Sequence, residues 1–182
     1  EETSGASPQI IDLEMGLPAV GNRKTALRMD IVALEPDRGG ARIVFWEAKR
    51  LGDSRLRAAN HKPEVFEQVD AYREFLSDVG RRKLVTDGYR RTCGLLRDLH
   101  AMASTTGNKP SLDPLIIAAA DDGTPLSVEE TPRLLIFDEG KKRREDAWQR
   151  HLKVLEERIP VAVVPPGGAS LQALEEIPRS GG

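Results

Sequence analysis

The sequence predicts an α/β protein with a small central mixed β-sheet flanked by helices. Two observations carry this expectation. Short apolar runs, MDIVALE (29–35), ARIVFWEAKR (41–50), RLLIFDE (133–139) and VAVV (161–164), have the length and β-branched or aromatic content of strands. Between them, EVFEQVDAYREFLSDV (64–79) and KKRREDAWQRHLKVLEERI (141–159) place apolar residues at helical spacing. Strands interleaved with helices indicate a layered fold, and no internal repeat is present.

Taken in order, residues 1–8 read as a flexible lead-in, 9–175 as one domain and 176–182 as a flexible tail. QIIDLEMGL (9–17) alternates apolar and acidic residues and reads as a strand, with a short helix as the competing reading. Thr25 to Glu35 and Ala41 to Arg50 read as strands joined in a hairpin by Pro36-Asp37-Arg38-Gly39-Gly40. Pro63 opens a helix that Gly80 closes, the usual asymmetry of helix ends. Its stripe is Val65, Val69, Tyr72, Leu76 and Val79. Residues 81–104 continue as helix, interrupted at Gly88 or Gly94. PLIIAAA (114–120) and RLLIFDE (133–139) read as buried strands, 141–158 as a charged helix and 161–164 as a last strand.

The 182 residues, 39% of them hydrophobic, suffice for one buried core. A net charge of -2 gives no whole-chain sign of nucleic acid, but the charge is segregated. Residues 20–50 carry seven basic side chains against four acidic, and 81–109 carry seven against two. Such segregation can build a positive face on a near-neutral molecule. The single cysteine, Cys93, excludes an intramolecular disulfide and a cysteine-rich zinc site, and points to a cytoplasmic location. No apolar run approaches the roughly 20 residues of a membrane span.

Two motif readings fail. LLIFDEG resembles the magnesium strand of a phosphate-loop ATPase, but Gly16 to Thr25 spaces its glycines and Lys24 wrongly and is followed by a strand. Cys93 and His100 lie two turns apart in one helical run, beyond hydrogen-bond reach.

The hairpin holds the informative residues. Side chains alternate along a strand, so Arg28 and Asp30 share a face with Val32 and Leu34, and Glu47 and Lys49 share one with Ile43 and Phe45. If Pro36 faces Ala41, then Asp30 faces Glu47 with Cβ atoms about 5 Å apart. A slip by two residues would set Asp30 opposite Lys49 and keep the cluster. Two carboxylates so close repel, and at least one pKa should rise. A hard divalent cation resolves the conflict, because magnesium takes carboxylate, carbonyl and water oxygens.

Asp30 with Glu47-Ala48-Lys49 resembles the D…(D/E)-x-K signature of the PD-(D/E)xK, or restriction-endonuclease-like, nuclease superfamily. Met29 stands where the family name has proline. The following helix carries Gln68-Val-Asp-Ala-Tyr72, similar to the Q-x-x-x-Y motif of the RecB-like branch. The resemblance covers residues 10–80 and implies a restriction-endonuclease-like core. It also implies a Mg²⁺- or Mn²⁺-dependent deoxyribonuclease that hydrolyses phosphodiester bonds in DNA. In that reading Asp30, Glu47 and the Ala48 backbone carbonyl hold the metal, with Glu14 as a further candidate ligand. Asp30, Glu47, Lys49 and Gln68 are the catalytic set. Lys24, Arg28, Arg50 and Tyr72 contact nucleic acid. Two competing expectations are an inactive nuclease-fold domain that only binds nucleic acid, and a protein-interaction module whose charged hairpin is a structural ion network. A homodimer or further domains of a longer chain are compatible with all three.

Overall fold

The computed structural model describes residues 9–18, 26–57, 62–105, 111–140 and 145–166. The lead-in 1–8 and the tail 176–182 lie outside them, as does Lys24. Among the described residues the protein is an α/β fold with a six-stranded mixed sheet and four α-helices.

Three strands form an antiparallel meander: β1 (Gln9–Leu17), β2 (Leu27–Asp37) and β3 (Gly40–Arg50). The sheet order is β1-β2-β3-β5-β6, with β5 (Arg133–Phe137) and β6 (Val161–Val164) parallel to β3. The start of β3 also pairs in parallel with a short strand, β4 (Leu126–Val128), which the sequence reading lacked. Strand β3 is thus central, and its run of Ile43, Val44, Phe45 and Trp46 is buried on both faces.

The hairpin register matches the sequence expectation: Pro36 pairs with Ala41 and Ile31 with Trp46. The turn is tighter than expected, with Arg38 and Gly39 alone outside the ladder. Gly39 takes φ +71, a conformation glycine adopts without steric cost. Gly40 is needed for a different reason, since a Cβ there would collide with the Pro125 carbonyl that accepts the Ala41 N–H.

Helix α1 (Val65–Ser77) is followed at once by α2 (Val79–Ser104). The expected stop at Gly80 is wrong, because Asp78 makes the break. Its extended backbone ends α1, and its side chain accepts the Arg81 N–H at 2.8 Å to cap α2. Helix α2 then runs through Gly88 and Gly94 without interruption.

The expected strand at 114–120 is a helix, α3 (Pro114–Ala120). Asp113 accepts the Leu115 N–H at 2.8 Å and Pro114 occupies the first turn, where its missing N–H costs nothing. An apolar run of seven residues carries no period that separates strand from helix, and the cap decides. Helix α4 (Glu145–Glu156) falls inside the expected 141–158, of which 141–144 lie outside the described residues.

The core divides by sheet face. Val32, Leu34, Ile43 and Phe45 pack with Tyr72, Phe75 and Leu76 of α1, Cys93 of α2 and Ile116 of α3. Leu134 and Ile136 of β5 pack with Val65 and Val69 of α1 and with Trp148 and Leu155 of α4. Helix α1 spans both groups. The cluster of Ala33, Val44, Trp46, Leu135, Ala162 and Val164 is drawn from strands alone. Beside it Arg133 stacks 5.3 Å from the Trp46 ring and binds Glu35 (2.7 and 3.0 Å) and Glu129 (2.6 Å). No described helix is long and apolar enough to cross a membrane.

Since Asp78 ends one helix and starts the next, Asp78→Ala should cost about 1 kcal/mol of stability in urea denaturation, while Asp78→Ser should cost less. Equal stability of Asp78→Ala and wild type would show that the α1–α2 break does not rest on this cap.

Candidate active site

Strand β3 is apolar from Ile43 to Trp46, then places Glu47 and Lys49 on the face that α1 covers. Both are nearly closed off from solvent, at 2% and 6% exposure. Charged groups so placed must be paired, and the Lys49 ammonium is where the pairing converges. It hydrogen-bonds Glu47 Oε1, donates to the Ala48 carbonyl at 3.2 Å and lies 3.8 Å from Asp30 Oδ2. The three groups expected to hold a metal therefore already surround one cation, that of the lysine.

Asp30 reaches this point because the β2–β3 ladder ends at Ile31 and Trp46. One residue further on, Asp30 Oδ2 accepts the Ala48 N–H at 2.8 Å. The carboxylate thus carries the hairpin past its last backbone pair and holds the Glu47-Ala48-Lys49 segment against β2.

Tyr72, one helical turn after Gln68 on α1, places its hydroxyl 2.6 Å from the Arg28 carbonyl and 3.0 Å from Glu47 Oε2. A hydroxyl has one hydrogen to give. It is shared between the two oxygens when Glu47 is ionised. When Glu47 is protonated, Arg28 takes it and Glu47 donates back to the phenol oxygen. Tyr72, expected to contact nucleic acid, lies buried, with its hydroxyl turned to Glu47 and the β2 backbone. Burial first, then the Glu47 charge, raises its pKa far above the ordinary tyrosine range. Gln68 Oε1 is buried and accepts no hydrogen bond from the described residues.

Burial raises the Glu47 pKa, opposed by the hydrogen bond and charge of Lys49 and assisted by the Asp30 charge. The expected rise therefore occurs, but desolvation outweighs repulsion as its cause.

The candidate ligand Glu14 is not brought in. In the β1–β2 register it flanks Asp30, between the pairs Leu13–Ile31 and Met15–Met29. Its backbone, however, takes φ +56, and its exposed carboxylate meets Arg28 at 3.3 Å. Among the described residues no cluster of three or more histidine, cysteine or acidic side chains is arranged to hold a metal. What fits a hard cation is smaller: two carboxylates and one carbonyl, all oxygen donors, as magnesium prefers.

Arg28 and Arg50 are exposed and each meets one carboxylate, Glu14 at 3.3 Å and Glu139 at 3.4 Å. Exposed pairs of this kind contribute about 0–1 kcal/mol, so either arginine can exchange its partner for a phosphate. The sequence reading missed Asp53 and Arg55, in the polar loop after β3. Asp53 caps a single 3₁₀ turn (Ser54–Leu56) and binds the Arg55 side chain. Its hydrogen bonds raise the Arg55 pKa against desolvation, and the charges of Asp53, Glu47 and Asp30 add to the rise. The signal available was the D-x-R spacing directly downstream of E-x-K.

Comparison with protein-family models, curated proteins and solved structures returned no match.

The Glu47 shift has a defined consequence for stability. A raised carboxylate pKa means that the folded protein holds this proton more tightly than the unfolded chain. The resulting stability is fully present below the unfolded-chain pKa and is lost as pH rises through the higher folded value. In metal-free buffer, wild type should therefore lose stability relative to Glu47→Gln as pH climbs out of the ordinary carboxylate range. Urea titrations at stepped pH would show this as diverging curves, and parallel curves would contradict it.

Proposed function

We propose that the chain is a metal-dependent nuclease of the PD-(D/E)xK type, with a restriction-endonuclease-like core, that hydrolyses phosphodiester bonds in DNA. The observation that carries the reading is the convergence of Asp30, Glu47 and the Ala48 carbonyl on the Lys49 ammonium. An oxygen set that already binds one cation at the end of a hairpin suits a second, divalent one. The buried Gln68 Oε1 on the helix above adds an oxygen that lacks a donor among the described residues.

Asp30, Glu47 and the Ala48 carbonyl would hold Mg²⁺ or Mn²⁺. When bound, the ion would supply Lewis-acid polarisation of the phosphate and lower the pKa of a coordinated water. Lys49, beside both carboxylates, would then offer its ammonium to the attacking water or to the phosphate oxygens, where it would offset the charge that grows in the transition state. Gln68 would accept a hydrogen bond from Lys49 or from the attacking water. Tyr72 fixes Glu47 against the Arg28 backbone, so that the carboxylate keeps its direction. Arg28 and Arg50 supply exposed positive charge for the nucleic-acid backbone, giving salt-dependent binding without base readout.

The same lysine favours a second reading, in which Asp30, Glu47 and Lys49 are a closed structural ion network and the chain binds a protein partner. Metal response separates the two. A divalent cation that binds only the folded site stabilises by about 2.7 kcal/mol at a hundredfold excess over its dissociation constant. Millimolar Mg²⁺, and more strongly Mn²⁺, should raise the melting temperature of wild type and of Glu14→Gln, but not of Asp30→Asn. A full shift in Asp30→Asn would place the ion elsewhere.

The activity test is cleavage of linear, circular and single-stranded DNA with Mg²⁺ or Mn²⁺, stopped by chelation. Asp30→Ala, Glu47→Gln and Lys49→Ala should each reduce the rate by about a hundredfold or more. Cleavage that persists unchanged in Lys49→Ala and Asp30→Ala would refute the assignment.

A further inference from the structure

Strand β3 ends in a tight turn. The Leu51 N–H donates to the Phe137 carbonyl at 2.9 Å, and the Asp53 N–H donates to the Arg50 carbonyl at 2.8 Å. This turn sets Asp53 and Arg55 directly beyond the end of the strand that carries Glu47 and Lys49.

The pair is built with unusual completeness for a surface loop. Asp53 Oδ1 accepts the Arg55 backbone N–H at 2.9 Å and its Nε at 3.0 Å, and Oδ2 accepts Nη2 at 2.6 Å. A second arginine, Arg57, donates to the Asp53 carbonyl at 3.1 Å. Guanidinium has five N–H donors in a rigid plane. Asp53 occupies the Nε edge, which leaves Nη1 and the remaining hydrogen of Nη2 as a second, outward edge. No other partner for that edge occurs among the described residues, and the side chain is 45% exposed. The outward edge has the fork geometry that matches two phosphate oxygens. Arg28 and Arg50 lack such preparation, each making one long contact at a strand surface.

We propose that Arg55 is the phosphate anchor of this site, gripping through its outward edge a backbone phosphate beside the one presented to Asp30 and Glu47. The proposal rests on the nuclease reading for the position of the scissile phosphate. Asp53 is its positioning residue, holding the guanidinium plane so that little rotamer freedom is lost on binding. A purely structural role for the pair, as a clasp on the 3₁₀ turn, makes a different demand, since breaking it from either side would then have the same effect.

The test is binding of duplex DNA without divalent ions, followed by fluorescence anisotropy over a series of salt concentrations. Wild type, Arg55→Gln and Asp53→Asn are compared, with circular dichroism as the check on folding. Loss of one phosphate contact lowers the slope of log K against log salt by about 0.9. Arg55→Gln should show that loss and weaker binding, while Asp53→Asn keeps the wild-type slope. An unchanged slope in Arg55→Gln, equal changes in both variants, or no binding by wild type overturns the anchor. The nuclease reading is judged apart from this, by cleavage. Wild type that binds but never cleaves would remove the nuclease reading and leave Arg55 to the slope. Cleavage with an unchanged Arg55→Gln slope would remove the anchor alone.

Discussion

A single ammonium group constrains the heart of this protein. Lys49 is almost completely buried, and a buried cation without partners costs several kcal/mol or more. The neighbouring structure is arranged to supply them. Strand β3 must carry Glu47 two residues earlier on the same face, and the hairpin register must bring Asp30 alongside. Asp30 in turn replaces the next rung of the ladder by accepting the Ala48 N–H. Glu47, pressed out of water, needs its second oxygen satisfied, and Tyr72 reaches down from α1 to do so. Helix α1 therefore lies where it does for two reasons: it closes both apolar clusters on that sheet face, and it brings Tyr72 over the hairpin.

This interlock explains why the site was legible in the sequence. Carboxylates inside β-branched runs stand out because they oppose burial, and the period of two fixes which of them share a face. The register followed from the position of Pro36 and the glycine-containing turn, and the structure keeps it. Gln68 and Tyr72 were legible as neighbours from their i, i+4 spacing, though not what Tyr72 does. Hydroxyl direction depends on the tilt of α1 against the sheet, which no local pattern encodes.

Other parts were illegible for equally physical reasons. PLIIAAA has no polar residues to reveal a period, and only the Asp113 cap and Pro114 declare it a helix. Gly80 has the composition of a terminator, yet it stands at the second position of α2, in the first turn that Asp78 caps. Glu14 sits in the right register beside Asp30, but a left-handed backbone sends its carboxylate to Arg28. The Asp53–Arg55 pair has only a weak local signature because charged loop residues usually face solvent singly, and their mutual geometry arises only once the turn after β3 is folded.

On the proposed nuclease reading, Asp30, Glu47 and the Ala48 carbonyl, which surround the Lys49 ammonium, also form a site for a divalent cation. The most direct measurement is the anomalous difference map of a crystal soaked in Mn²⁺ at millimolar concentration. The proposed reading requires one strong peak within coordination distance of an oxygen of each of the three groups, with the Lys49 ammonium displaced from between the carboxylates. A saturated crystal with no peak there, and Lys49 still bridging Asp30 and Glu47, would contradict it.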